Sequence, residues 1–172
     1  MDATHLARAR VFATLGTAIF LVAAPGFVVV LVPWWMTHWH THAQFAGMSP
    51  LRVLGAVLIA AGAAVVLDSF ARFAWNGIGT PAPVYPTRHL VVGGFYRYVR
   101  NPMYLSLLLI LVGQALVFAD VRLLAYALCC WLITHLFVVF YEEPTLRRSF
   151  GQEYDAYCHR VSRWLPRPAS AP

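Results

Sequence analysis

Apolar residues fall in four long runs, Val11–Trp35, Leu51–Phe73, Met103–Phe118 and Leu123–Phe140, separated by stretches where glycine, proline and charge concentrate. At about 1.5 Å per residue, each run is long or nearly long enough to cross roughly 30 Å of hydrocarbon. The pattern predicts an all-α, polytopic membrane protein with about four transmembrane helices. The first run reads as retained, being longer than a signal-peptide core, without a clear small-residue cleavage site and followed by further spans. Only Ala119-Asp-Val-Arg122 separates the third and fourth runs, so these two are expected to form a tight antiparallel hairpin. Farther on, Leu146, Phe150, Tyr154, Tyr157 and Val161 recur every three or four residues, with Arg147, Arg148, Glu153, Asp155 and Arg160 elsewhere. That spacing predicts a C-terminal amphipathic cytoplasmic helix over Pro144–Val161, lying on the membrane interface and anchored by Trp164.

Within the runs, Pro25-Gly26 falls in mid-membrane and is expected to kink the first span, and Trp34, Trp35 and Trp39 mark the far interface. The second span carries Gly55, Ala56, Ala60, Ala61, Gly62, Ala63 and Ala64, small residues that permit close helix approach and predict central packing. Asp68 and Arg72 are one turn apart at its end and can pair. Asn76–Arg88, with Gly77, Gly79, Pro81, Pro83 and Pro86, reads as a proline-stiffened loop. The expected organisation is a single integral membrane domain over 1–172: a two-span scaffold (1–75), a core (76–166) and a disordered tail (167–172).

Composition agrees with the bilayer as solvent: of 172 residues, 60% are apolar and 12% charged. All thirteen basic residues are arginine. Arg8 and Arg10 precede the first span, Arg72, Arg88, Arg97 and Arg100 follow the second, and Arg147, Arg148, Arg160, Arg163 and Arg167 follow the fourth; only Arg52 and Arg122 fall on the other side. This asymmetry predicts that both termini and the Arg88–Tyr104 loop are cytoplasmic. Such a basic face suits anionic headgroups, and with no soluble domain nucleic acid is not an expected partner. Cys129, Cys130 and Cys158 have neither a metal nor a disulfide spacing. His38, His40 and His42 alternate, but read as an interfacial loop of polar aromatics rather than a metal site, so no metal is expected. His135, alone in its span, reads as a hydrogen-bonded core residue.

Chemistry concentrates in Arg88–Tyr104 and at Glu142-Glu143. Gly93-Gly94 allows tight turns and lets peptide groups approach a ligand closely. Asn101 followed by Pro102 predicts a helix start, an N-cap side chain and then proline in the first turn. Its positive dipole end stands beside Arg97 and Arg100 and suits a carboxylate or a phosphate, whether of a ligand or of lipid. The glutamates lie where apolar helix meets water, and adjacent helical residues point about 100° apart, so the two cannot face one ligand alike. One suits a cation, the other solvent or an arginine. A ligand matching this set has an anionic group, an ammonium group and an aromatic or sulfonium portion. S-adenosylmethionine fits, as do other zwitterions.

The pattern His89-Leu-Val-x-x-Gly-x-Tyr96-x-x-x-Arg100-Asn-Pro-x-Tyr104, followed by Glu142-Glu143, Phe150-Gly-x-x-Tyr154-x-x-Tyr157 and Arg163-Trp-x-Pro166, resembles the isoprenylcysteine carboxyl methyltransferase and phospholipid methyltransferase superfamily. The resemblance covers roughly Gly79 to Pro166. It implies an integral membrane methyltransferase that uses S-adenosylmethionine from the cytosol and a lipid-like or membrane-embedded acceptor. It further implies that Arg88, His89, Leu90, Val91, Gly94, Tyr96, Asn101, Pro102, Met103 and Tyr104 hold the cofactor, with Glu143 the chief closing group from the fourth helix. Arg100, Glu142 and Glu143 are then the candidate catalytic residues: Arg100 for the cofactor's carboxylate or the acceptor, and a glutamate for the proton of an amine. Carboxyl methyltransferases of that superfamily carry an arginine about a turn before the glutamates, whereas Phe137-Val-Val-Phe140 is apolar. The acceptor stays open among a prenylcysteine carboxylate, a lipid amine and another small lipophile. The competing class is a non-catalytic membrane protein of the same fold, acting as a lipid-binding or assembly subunit.

Overall fold

A computed structural model describes residues 22–41, 49–72 and 90–165. The expectations for the first half of the first span, His42, the Asn76–Arg88 loop, His89 and the tail lie outside these residues. Five helices are described: α1 (Val22–Thr37), α2 (Ser49–Arg72), α3 (Pro102–Phe118), α4 (Val121–Phe150) and α5 (Gln152–Arg160). A 3-10 turn, Gly94–Arg97, precedes α3. Among the described residues the strand-like pairing is a single isolated bridge between Val99 and Ser162, so the class is all-α. Pro50–Arg72 of α2 and the whole of α4 are long and apolar enough to cross a membrane, while α1 and α3 are shorter apolar helices.

The centre of the molecule is α3, of whose 17 residues nine are buried, including Met103, Ser106, Leu111 and Gln114. The sequence placed α2 there, and the reason it is not central is that its glycines serve one face only. A Cβ at Gly55 would lie 2.6 Å from the Gly113 carbonyl oxygen, and one at Gly62 would lie 2.7 Å from that of Ser106. The backbones of α2 and α3 therefore touch, as small residues allow. The opposite face of α2, with Val53, Leu54, Val57 and Leu67, is exposed.

Two prolines organise the irregular turns. Residues Phe27–Leu31 and Val138–Glu142 are π-helical, and each turn ends two residues before a proline, Pro33 and Pro144. A proline supplies no N–H and crowds the preceding turn, so a wider local winding relieves the clash. Pro33 has no N–H to give the Val29 carbonyl, and in the π turn the Val32 N–H goes to the Phe27 carbonyl and so leaves that of Val28 without it. Tyr126 Oη donates to the Val28 oxygen at 3.1 Å and Gln114 Nε2 to that of Val29 at 2.7 Å. The irregularity expected at Pro25-Gly26 thus begins just beyond it, and α3 and α4 cap it. Tyr126→Phe is expected to cost about 0.6–1 kcal/mol, the usual worth of a hydrogen bond between apolar helices, read as a lowered unfolding midpoint in detergent.

Between α3 and α4 lie only Ala119, in the left-handed region at φ 53°, and Asp120, which accepts from the Arg122 N–H at 2.9 Å. At thirty residues, α4 is about 45 Å long and exceeds a hydrocarbon core of about 30 Å. The amphipathic helix expected over Pro144–Val161 is not one element: a π turn carries α4 through Pro144, and the break comes at Gly151, at φ 51°. The last polar turns of α4 therefore extend its own axis, and only α5 turns aside. The Trp164 Nε1–H donates to His135 Nδ1 at 3.0 Å, folding the chain after α5 back onto α4. His135 is hydrogen-bonded, as read from the sequence.

Candidate active site

The loop before α3 is shaped by a glycine and an ion pair. Gly94 has φ 59°, and a Cβ there would run into the Arg72 guanidinium. That guanidinium is fixed by two bonds to Asp68, at 2.7 and 2.9 Å, so the pair expected at the end of α2 buttresses the turn. The turn buries Tyr96, whose carbonyl accepts from Tyr157 Oη at 2.7 Å. Next, the Arg100 N–H donates to the Ser162 carbonyl at 2.8 Å beside the Val99 bridge. Asn101 is the N-cap residue, as expected, but its side chain accepts nothing from α3; its Nδ2 donates instead to the Arg163 carbonyl at 3.2 Å. Pro102, which has no N–H, opens that helix without it.

The glutamates divide as adjacent helical positions should. Glu143 accepts from Arg163 Nε at 2.6 Å and Nη2 at 2.8 Å, and its Oε1 lies 3.2 Å from Arg100 Nη1. Glu142 Oε2 accepts from Tyr104 Oη at 2.9 Å. Glu142 has no cationic partner among the described residues. Glu143, expected to be the chief closing group, is thus already neutralised by two guanidiniums, and Glu142 is the carboxylate left open. Arg100 Nη1 also contacts Cys158 Sγ at 2.7 Å, while its buried Nε has no partner among the described residues.

These groups form one end of a cavity of about 700 Å³. Leu90, Val91, Tyr96, Arg100, Asn101, Met103, Tyr104, Glu142 and Glu143, all named from the sequence, line it. Gly94 is not in the lining and acts through the turn; Pro102 is buried behind the wall. Arg88 and His89 lie outside the described residues. Sequence reasoning missed the Arg163 ion pair, the Tyr157 hydroxyl and the part of Tyr126 in the wall. The one available signal was charge: two adjacent carboxylates at an apolar boundary call for more cation than Arg100 alone. Burial pushes the Tyr96, Tyr154 and Tyr157 hydroxyls far above their ordinary value, aided at Tyr96 by the Glu142 charge, so all three remain neutral donors.

The sequence model of the phospholipid methyltransferase family matches residues 51–153, which is 103 of the 172 residues. The chain belongs to the phospholipid methyltransferase family. Among curated proteins no sequence matches it. The family is one of methyltransferases, and with two apolar helices of spanning length this member is a membrane protein. The matched stretch runs from the third residue of α2 through α4, with Tyr96, Arg100, Tyr104 and both glutamates. Arg163 and Ser162, which tie the site together, lie beyond it.

Proposed function

We propose that this phospholipid methyltransferase family member moves a methyl group from S-adenosylmethionine to a lipophilic amine. On this reading the protein is multi-pass, α3 and α4 forming a transmembrane hairpin, and both termini and the site are cytoplasmic, because the arginines cluster there. The observation that carries it is Glu142: a carboxylate without a cationic partner among the described residues, hydrogen-bonded to Tyr104, in the wall of a cavity that turns apolar below it.

The residues present suit the cofactor. A cavity of about 700 Å³ is within the range of about 300–1,000 Å³ that takes a drug-sized ligand. Arg100 Nε, buried and without a partner among the described residues, suits a carboxylate, with Asn101 beside it, and Tyr96, Met103 and Tyr104 suit the sulfonium portion. When bound, the cofactor supplies an electrophilic methyl group on sulfur. The chain's own residues then position and desolvate. Arg100 orients an anionic group, and Tyr104 holds the Glu142 carboxylate by Oε2. Glu142 Oε1 accepts the proton that an ammonium acceptor must lose to become a nucleophile. A carboxylate acceptor would meet Glu142 with no compensating arginine on Phe137–Phe140, so an amine is favoured.

Membranes holding the protein, incubated with methyl-labelled cofactor, are expected to place label in an organic-extractable amine. Calorimetry in detergent is expected to show cofactor binding that Tyr104→Ala weakens about tenfold, the loss of one charge-assisted contact. A parent protein that binds no cofactor would overturn the reading in favour of a non-catalytic lipid-binding subunit.

A further inference from the structure

On α4 the cavity wall takes every fourth residue: Thr134, Val138, Glu142, Leu146 and Phe150 all line it. A regular helix does not keep that spacing on one face. At about 100° per residue, the sixteen residues from Thr134 to Phe150 would overshoot four turns by about 160°. Continued regularly from Ile133 and Thr134, which share the wall, α4 would turn Phe140 and Tyr141, then Pro144, then Arg147 and Arg148 toward the cavity. Glu142 would stand about 130° away. The observed wall lies about one residue later at each turn, so that Phe140 is 75% exposed and Arg147 and Arg148 face outward. The extra residue is taken up between Val138 and Glu142. There the Glu143 N–H donates to the Val138 carbonyl, five residues back and not four, and such a turn holds about one residue more than an α turn. Pro144 is the cause in the sequence, since it has no N–H for the Phe140 carbonyl and its ring crowds the preceding turn.

We infer that Pro144 is a positioning residue for the reaction: the one-residue insertion it enforces in α4 is what turns Glu142, rather than Phe140, toward Tyr104 and the cavity. Pro144 is not in the cavity wall and acts only through the helix. The contact it sets is the hydrogen bond from Tyr104 Oη to Glu142 Oε2 at 2.9 Å. The inference rests on the reading of Glu142 as the proton acceptor, and half of its test needs neither cofactor nor methyl transfer.

The experiment compares the parent, Pro144→Ala, and Pro144→Ala with Val139 deleted, each with and without Tyr104→Phe, as full chains in detergent. Val139 lies outside the cavity wall, and deleting it removes the extra residue, so that a regular helix presents Glu142 where the π turn does now. Unfolding midpoints and kcat for methyl transfer are measured. Tyr104→Phe is expected to lower the midpoint of the parent by about 2–4 °C, the loss of one hydrogen bond. In Pro144→Ala it should move the midpoint by less than about 1 °C, and in the deletion variant as much as in the parent. Methyl transfer is expected to fall about tenfold or more in Pro144→Ala, on kcat and not on the cofactor KM, and to return to within about threefold of the parent in the deletion variant. A merely structural proline gives no such rescue, because shortening the helix would then add a second injury. An unchanged kcat in Pro144→Ala, a Tyr104→Phe shift as large there as in the parent, or a deletion variant that fails to fold or to recover overturns the inference. The expected midpoints in a parent that transfers no methyl group would sink the enzyme reading and leave the register standing.

Discussion

Glu142→Gln is expected to lower methyl transfer about a hundredfold or more, with the fold intact, since a positioned acid–base group contributes about 10²–10⁴. Glutamine keeps the size of the side chain, and its carbonyl oxygen still accepts from Tyr104 Oη, now 2.9 Å from Glu142 Oε2. What it removes is the negative charge and the proton acceptor. No arginine pairs with Glu142 among the described residues, so the substitution leaves no cation stranded, and the melting temperature should move by no more than about 2 °C. The loss should fall on kcat and not only on KM, because the proton leaves as the nucleophile forms. The measurement is label transfer against acceptor concentration at constant cofactor. Full activity in Glu142→Gln would remove this residue from the chemistry and turn attention to Tyr96 and Arg100.

The sequence made the local half of the site legible and hid the half that depends on distant contacts. Tyr104 and the glutamates were readable because a helix start and a helix end at the same apolar boundary meet once the two helices are antiparallel. The Asp68–Arg72 pair was readable because four residues bring side chains to one helix face. The partner of Glu143 was not: Arg163 is twenty residues further on and reaches it only because Gly151 breaks the helix and Ser162 pairs with the loop before α3. Asn101 shows the same limit. It is the N-cap residue, as its type and position predict, yet its side chain caps nothing and its amide donates to the Arg163 carbonyl, sixty-two residues away in sequence. Central packing of α2 failed for another reason, since small residues report that a helix approaches one neighbour closely, not that neighbours surround it. The π turns had a signal, a proline after an apolar run, but the carbonyls freed in the turn before Pro33 find donors only in the packed structure.

Glu143→Leu is expected to be the most damaging single substitution, costing about 3 kcal/mol or more of stability, as removal of one member of a buried charge cluster does. Glu143 is 7% exposed and holds Arg163 through two bonds and Arg100 through a third contact. Without it, two guanidiniums stand together with no counter-charge among the described residues, where Arg100 already has one nitrogen without a partner. Removing a cation instead should cost less: Arg163→Leu leaves Glu143 its ion pair with Arg100, so about 1–2 kcal/mol is expected, moderated by the partial exposure of the arginine. The double variant Glu143→Leu with Arg163→Leu should then recover stability relative to Glu143→Leu alone, because the stranded charge falls from two to one. Unfolding midpoints in detergent for the parent and the three variants check this. Strict additivity of the two single losses would mean that the cluster is solvated, and that Glu143 and not Glu142 is free to meet a ligand.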